Sequence, residues 1–170
     1  MKQILFSFLL LTSMVACAQG DKSKRPSPPA LAKETLNNGT TVSIDYSQPS
    51  VKGRTIGTDL EPMDGKVWRS GANEATVFEI DKDVNIEGQS LPAGKYGLFT
   101  IMNGDEWTII FNKTWKQWGA FTYKEDDDAL RVKVKSGKAP QFSERMTFLI
   151  AKDGKITLLW GDIAFNFMVN

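Results

Sequence analysis

The chain reads as an all-β domain, a two-sheet antiparallel β-sandwich of jelly-roll-like kind with roughly ten short strands. Two observations carry this reading. Apolar and polar residues alternate with period two over short runs, as in Val42, Ile44, Tyr46 against Thr41, Ser43, Asp45, which puts one face of each strand in a core. Tight-turn pairs separate the runs: Asn38-Gly39, Asn103-Gly104 and Asp153-Gly154 readily take the backbone angles of a hairpin. No stretch after the leader has a convincing helical period.

Residues 1–18 read as a signal peptide. Lys2 gives the positive start, and the apolar run over 4–15 is too short to cross a bilayer, which needs about 20 residues. Met14-Val15-Ala16-Cys17 resembles a lipoprotein box ending at Cys17, the candidate lipidation site. The rival is ordinary cleavage after Ala18, with small residues flanking Cys17. Residues 19–31, with Pro26, Pro28 and Pro29, read as a polar, solvated tether, and residues 32–170 as a single domain.

The domain opens with a hairpin over 33–46. A Gly- and Pro-containing loop over 51–65 then leads to the stretch Lys66-Val67-Trp68-Arg69-Ser70-Gly71-Ala72-Asn73-Glu74-Ala75-Thr76. Thr76, Phe78 and Ile80 share a strand face. Val84 and Ile86 lead through Glu87-Gly88 to a short return at Leu91. Residues 96–102 and 105–112 form the clearest hairpin, with Trp107, Ile109 and Phe111 on one face. Residues 113–121 are irregular and hold Trp115 and Trp118; Lys124 to Asp128 form an acidic loop. Leu130, Val132 and Val134 make an inward face, then Met146, Phe148 and Ile150 another. Ile156, Leu158 and Trp160 return, Gly161-Asp162 turns, and Ile163, Phe165, Phe167 and Val169 close the chain as an internal strand.

Composition narrows the function. A formal net charge of +1 offers no steering toward nucleic acid. The absence of histidine removes the usual general base, the Ser-His and Cys-His pairs and His-containing metal sites. The one cysteine is Cys17, so the domain itself has neither thiol nor disulfide. No metal, cofactor or catalytic residue is expected. Calcium binding at Asp126, Asp127 and Asp128 is weaker than a solvated acidic turn, because the spacing does not match an EF-hand.

The candidate ligand-binding residues are Arg54, Trp68, Arg69, Asn73, Glu74, Trp115 and Trp118. In one reading Arg69 or Arg54 clamps a carboxylate or sugar hydroxyls, Trp68 stacks, and Asn73 and Glu74 hydrogen-bond the ligand. In the other, Arg69 and Glu74 close across Gly71 into a buried pair that fixes the fold. Trp115 and Trp118 could stack on sugar rings or fold back to cap the core.

The sequence resembles the bacterial family called domain of unknown function 2911. The resemblance rests on the run from Ile44 to Arg54 and on Lys66 to Thr76, then on Leu91 to Ile101, Trp107 to Lys113 and Gln117 to Phe121. It implies a small exported or lipid-anchored β-domain and carries no catalytic assignment. The expected function is a non-enzymatic binding or accessory module of the cell envelope, in the periplasm or at the outer membrane. Its partner would be a glycan, a peptide or an envelope protein, with membrane contact only through a lipid anchor. The alternatives are a glycosidase-like hydrolase using Glu74, Asp45 or Asp64, and a purely structural subunit.

Overall fold

Period-two alternation becomes strand structure along most of the chain. The computed structural model describes residues 21–170; the leader and Cys17 lie outside the described residues. Ten strands follow one another: β1 (Pro29–Thr35), β2 (Thr41–Ser47), β3 (Val67–Trp68), β4 (Thr76–Ile80), β5 (Val84–Ile86), β6 (Gln89–Leu91), β7 (Gly94–Asn103), β8 (Glu106–Asn112), β9 (Asp128–Ile150) and β10 (Lys155–Met168). Among the described residues the only helical pieces are 3-10 turns at Lys22–Lys24 and Glu125–Asp127.

All the pairings between these strands are antiparallel. One sheet of eight strands runs β1-β2-β4-β7-β8-β9-β10, with β3 joined to β7, and β5-β6 form a separate hairpin. The sheet curls like a half-barrel instead of dividing into the two packed layers expected. Its curl brings the far part of β9 back to the chain just after β2. There Met146 N–H donates to Pro49 O at 3.0 Å and Val51 N–H to Glu144 O at 2.9 Å. Inside the curl, Phe78, Phe111 and Phe167 pack edge-on and tilted, and Trp107 lies 4.8 Å from Phe165 between ring centroids.

Three expectations are corrected. The strands are not all short: β9 has 23 residues, because the polar stretch over 136–145 stays in the ladder through register shifts opposite Leu159, Gly161 and Ile163. Gly161-Asp162 is accordingly an irregularity within β10, not a turn between two strands. Finally, β10 ends the sheet order where an internal strand was expected. Its end is covered by β5 and the residue after it: Asn85 and Asn170, just past β10, exchange backbone hydrogen bonds at 2.8 and 2.9 Å, and Glu87 Oε1 accepts from Met168 N–H at 2.7 Å. Edge groups satisfied in this way are closed to further strand pairing.

The outer face of β7 and β8 is not left to solvent. Ala75, Phe99 and Ile110 are buried there, with Ala120 and Tyr123 packed over them. The irregular segment after β8 therefore lies across the back of the sheet. The N-terminal segment is not a free tether either. Pro29 pairs with Ser47 as the first residue of β1, and Gln48 N–H donates to Pro28 O at 2.9 Å.

Candidate functional site

The stretch after β3 is fixed from below. Val67 and Trp68 pair with Ile101 and Thr100 of β7, which sinks the Trp68 ring to 2% exposure. Its indole N–H donates to Gly71 O at 3.0 Å. Ser70, fully buried, donates to Thr100 Oγ1 at 3.2 Å and accepts at its carbonyl from Thr76 Oγ1 at 2.9 Å. A Cβ on Gly71 would lie 2.8 Å from Thr76 Oγ1 and 3.2 Å from Ser47 O, so only glycine fits this crossing. Ser70 and Asn73 have φ of 50° and 59°, sparsely populated values that the surrounding bonds hold in place. Trp68 is scaffold; it offers no face for stacking.

This rigid loop presents its far end to the segment after β8. Ala75 N–H donates to Gln117 O and Gly119 N–H to Asn73 O, both at 3.0 Å, and Glu74 and Trp118 form a β-bridge. The segment is pinned at its base by Asn112, fully buried, which donates to Lys124 O at 2.9 Å and Asp128 Oδ1 at 2.7 Å. Arg131 and Tyr123 complete that clasp: both reach Asp128 Oδ2, at 2.6 and 2.7 Å. Burial, then the hydrogen bond to Asp128, pushes the Tyr123 hydroxyl up to about 12. The acidic run is thus engaged within the domain, with Glu125 paired to Arg131 and Asp127 accepting from Thr114.

Between the two stretches lies a cleft of about 490 Å³. Trp115 and Trp118 line it, with Glu74, Asp45, Gln117 and Lys116 around them and Tyr46, Ser47 and Val77 among its other walls. Trp118 is 54% exposed. The sequence candidates Glu74, Trp115 and Trp118 are therefore brought together. The segment covers the sheet with Ala120 and Tyr123, and Trp115 and Trp118 line the cleft beside it.

The cleft also receives the N-terminal segment. Arg25 Nη1 lies 2.8 Å from Glu74 Oε2, and Lys22 Nζ 3.1 Å from Glu74 Oε1. The Arg25 guanidinium stands 5.8 Å from the Trp118 ring centroid, and Asn73 Nδ2 donates to Ser27 O at 3.0 Å. Lys22, Arg25 and Gln117 were not singled out from the sequence. No local pattern tells which carboxylate a basic residue in a polar run will meet 49 positions away.

The expected Arg69–Glu74 pair does not form. The turn at Gly71 sends the two side chains apart, Glu74 to Arg25 and Lys22, and Arg69 to a second cavity of about 180 Å³ also lined by Arg54 and Trp68. Burial works to raise the Glu74 pKa, but hydrogen bonds from its own backbone N–H, Arg25 and Lys22 prevail and hold it low. Asp64 is elsewhere, accepting from Gly104 N–H at 3.0 Å.

A depressed carboxylate stabilises the fold above the ordinary glutamate range, and that contribution is lost as pH falls through the folded-state value. A double-mutant cycle of Arg25→Ala and Glu74→Ala should give a coupling below about 1 kcal/mol at neutral pH, because both groups are partly exposed. The coupling should vanish well below the glutamate range. A coupling that survives there would contradict the ion pair.

A family model described as "Protein of unknown function (DUF2911)" matches residues 27–169. No curated protein and no solved structure matches the chain.

Proposed function

Since the chain belongs to the DUF2911 family, whose description assigns no activity, we propose its function from the cleft: a non-catalytic module of the cell envelope that binds a glycan. The observation that carries this reading is the meeting of Trp115 and Trp118 with Asp45, Glu74 and Gln117 around one cleft. An indole face offers a sugar ring large contact area at low entropic cost. Carboxylates accept hydrogen bonds from hydroxyls, and a carboxamide both donates and accepts. The volume of about 490 Å³ falls within the range of small-ligand sites, about 300–1,000 Å³. A ring stacking on Trp118 takes the place of the Arg25 guanidinium.

The second reading is a glycosidase-like hydrolase, favoured by the presence of Asp45 and Glu74 in the same cleft. It asks one carboxyl to be the general acid with a raised pKa. Glu74 is shifted the other way and suits the role of a fixed anion. Export through residues 1–18 and anchoring at Cys17 complete the proposal. Cys17→Ser should move the protein from the membrane fraction to the soluble one, and a wild-type protein already wholly soluble would refute the anchor.

A glycan array probed with the full chain tests the binding role. Bound glycans should lose at least about tenfold in affinity for Trp118→Ala, or about 1.4 kcal/mol, while that variant unfolds within about 1 kcal/mol of wild type. If no glycan is retained, or if Trp118→Ala binds as wild type does, the proposal fails. Release of reducing sugar from a bound glycan would favour the hydrolase.

A further inference from the structure

We infer that the smaller cavity is a second, separate binding site, which takes a carboxylate group between the guanidinium groups of Arg54 and Arg69. The cavity is about 180 Å³, below the range of whole small-molecule ligands and suited to a terminal group. Arg69 is the strongest observation. Its Nε is sealed from solvent and has no hydrogen-bond partner. The side chain as a whole is only partly buried, but a sealed N–H without an acceptor is costly, and buried polar atoms in folded proteins are nearly always satisfied.

The side chain cannot escape this position by a shift of the backbone. Trp68 and Ser70 on either side are buried, and Arg69 O accepts from Thr76 N–H at 3.3 Å. Burial also draws the Arg69 pKa down, against the charge of Glu61. An anion in the cavity would compensate the Arg69 charge that burial penalises.

Arg54 is held for the same purpose. Its Nε donates to Val51 O at 3.1 Å and its Nη2 to Ser50 O at 2.6 Å. The guanidinium is therefore oriented by backbone carbonyls, and these leave its charge uncompensated. Among the described residues neither arginine forms an ion pair. Glu61 is the one acidic residue of the lining, and its Oε2 accepts from Met63 N–H at 2.8 Å. Two guanidinium charges against one carboxylate leave a single positive charge, which a monoanion balances. A phosphate dianion would bring excess negative charge beside Glu61. Guanidinium groups also match the planar, two-oxygen geometry of a carboxylate.

The test uses the full chain, with sodium acetate as the probe and sodium chloride and inorganic phosphate at matched ionic strength as comparisons. Acetate should raise the thermal midpoint saturably by a few degrees above chloride, as a ligand of the native state does, and more than phosphate does. Arg54→Gln and Arg69→Gln should each abolish that rise. Arg54 is exposed, so Arg54→Gln folds and decides the matter if Arg69→Gln does not. No rise over chloride in the wild type, a rise kept in Arg54→Gln, or a larger rise with phosphate would each overturn the assignment.

Discussion

Gly154→Ala is expected to cost the domain about 3–5 kcal/mol, a large part of the 5–15 kcal/mol by which such domains are stable. Gly154 closes the turn between β9 and β10 with φ of +92°, a region that an L side chain adopts only under strain. A Cβ there would stand 1.9 Å from Val169 O and 3.1 Å from Val169 C. Both are backbone atoms, so no rotamer change relieves the clash. The chain end would have to move, yet Val169 N–H donates to Gly154 O at 3.0 Å and the Val169 side chain is 1% exposed. The left-handed conformation contributes roughly 1–2 kcal/mol, and exposing a valine of this kind about 1.5–3 more. Chemical denaturation of the variant measures the sum. A loss below about 1 kcal/mol would mean that the C-terminal residues are not docked as described.

Trp68→Ala should be similarly damaging, at about 3–5 kcal/mol. The ring is 2% exposed, and its N–H is the partner of Gly71 O. Truncation opens a void beneath the loop that carries Asn73 and Glu74 and deprives a buried carbonyl of its donor. The contrast with Trp118→Ala is the informative part. One tryptophan should control the unfolding midpoint, the other ligand affinity at nearly unchanged midpoint. A Trp68→Ala variant as stable as wild type would return Trp68 to the list of ligand contacts.

Strand content was legible in the sequence wherever one face is buried and the other wet. The faces of Val42, Ile44 and Tyr46, and of Thr76, Phe78 and Ile80, came out as read, and the Asn103-Gly104 hairpin closes β7 on β8. The middle of β9 was not legible, because residues such as Lys138, Gln141 and Glu144 are exposed and give no alternation. The segment around Pro26 was read as solvated because its composition is polar. Ionic contacts to Glu74 dock it together with hydrogen bonds to Ser27 O and Pro28 O, and nothing local encodes those. The importance of residues 66–76 was visible from their mixed chemistry. Their division into scaffold, cleft and arginine cavity was not, since it depends on the positive φ at Ser70 and Asn73. Nor did the sequence show that Glu74 and Trp118 are neighbours, which a β-bridge between two loops brings about.

The length of β9 bears on how the domain comes apart. Its 23 residues would extend about 75 Å if straight, roughly twice the width of a domain of this size, so the strand bends and belongs to both ends of the curl. Its first part pairs with β8, its later part with β10 and with the chain at Pro49 and Val51. Neither end can melt without removing a neighbour from the other, so the domain behaves as one cooperative unit with a single transition. A backbone nick near Phe142 would leave two fragments, neither with a closed core, each ordered only on recombining with the other.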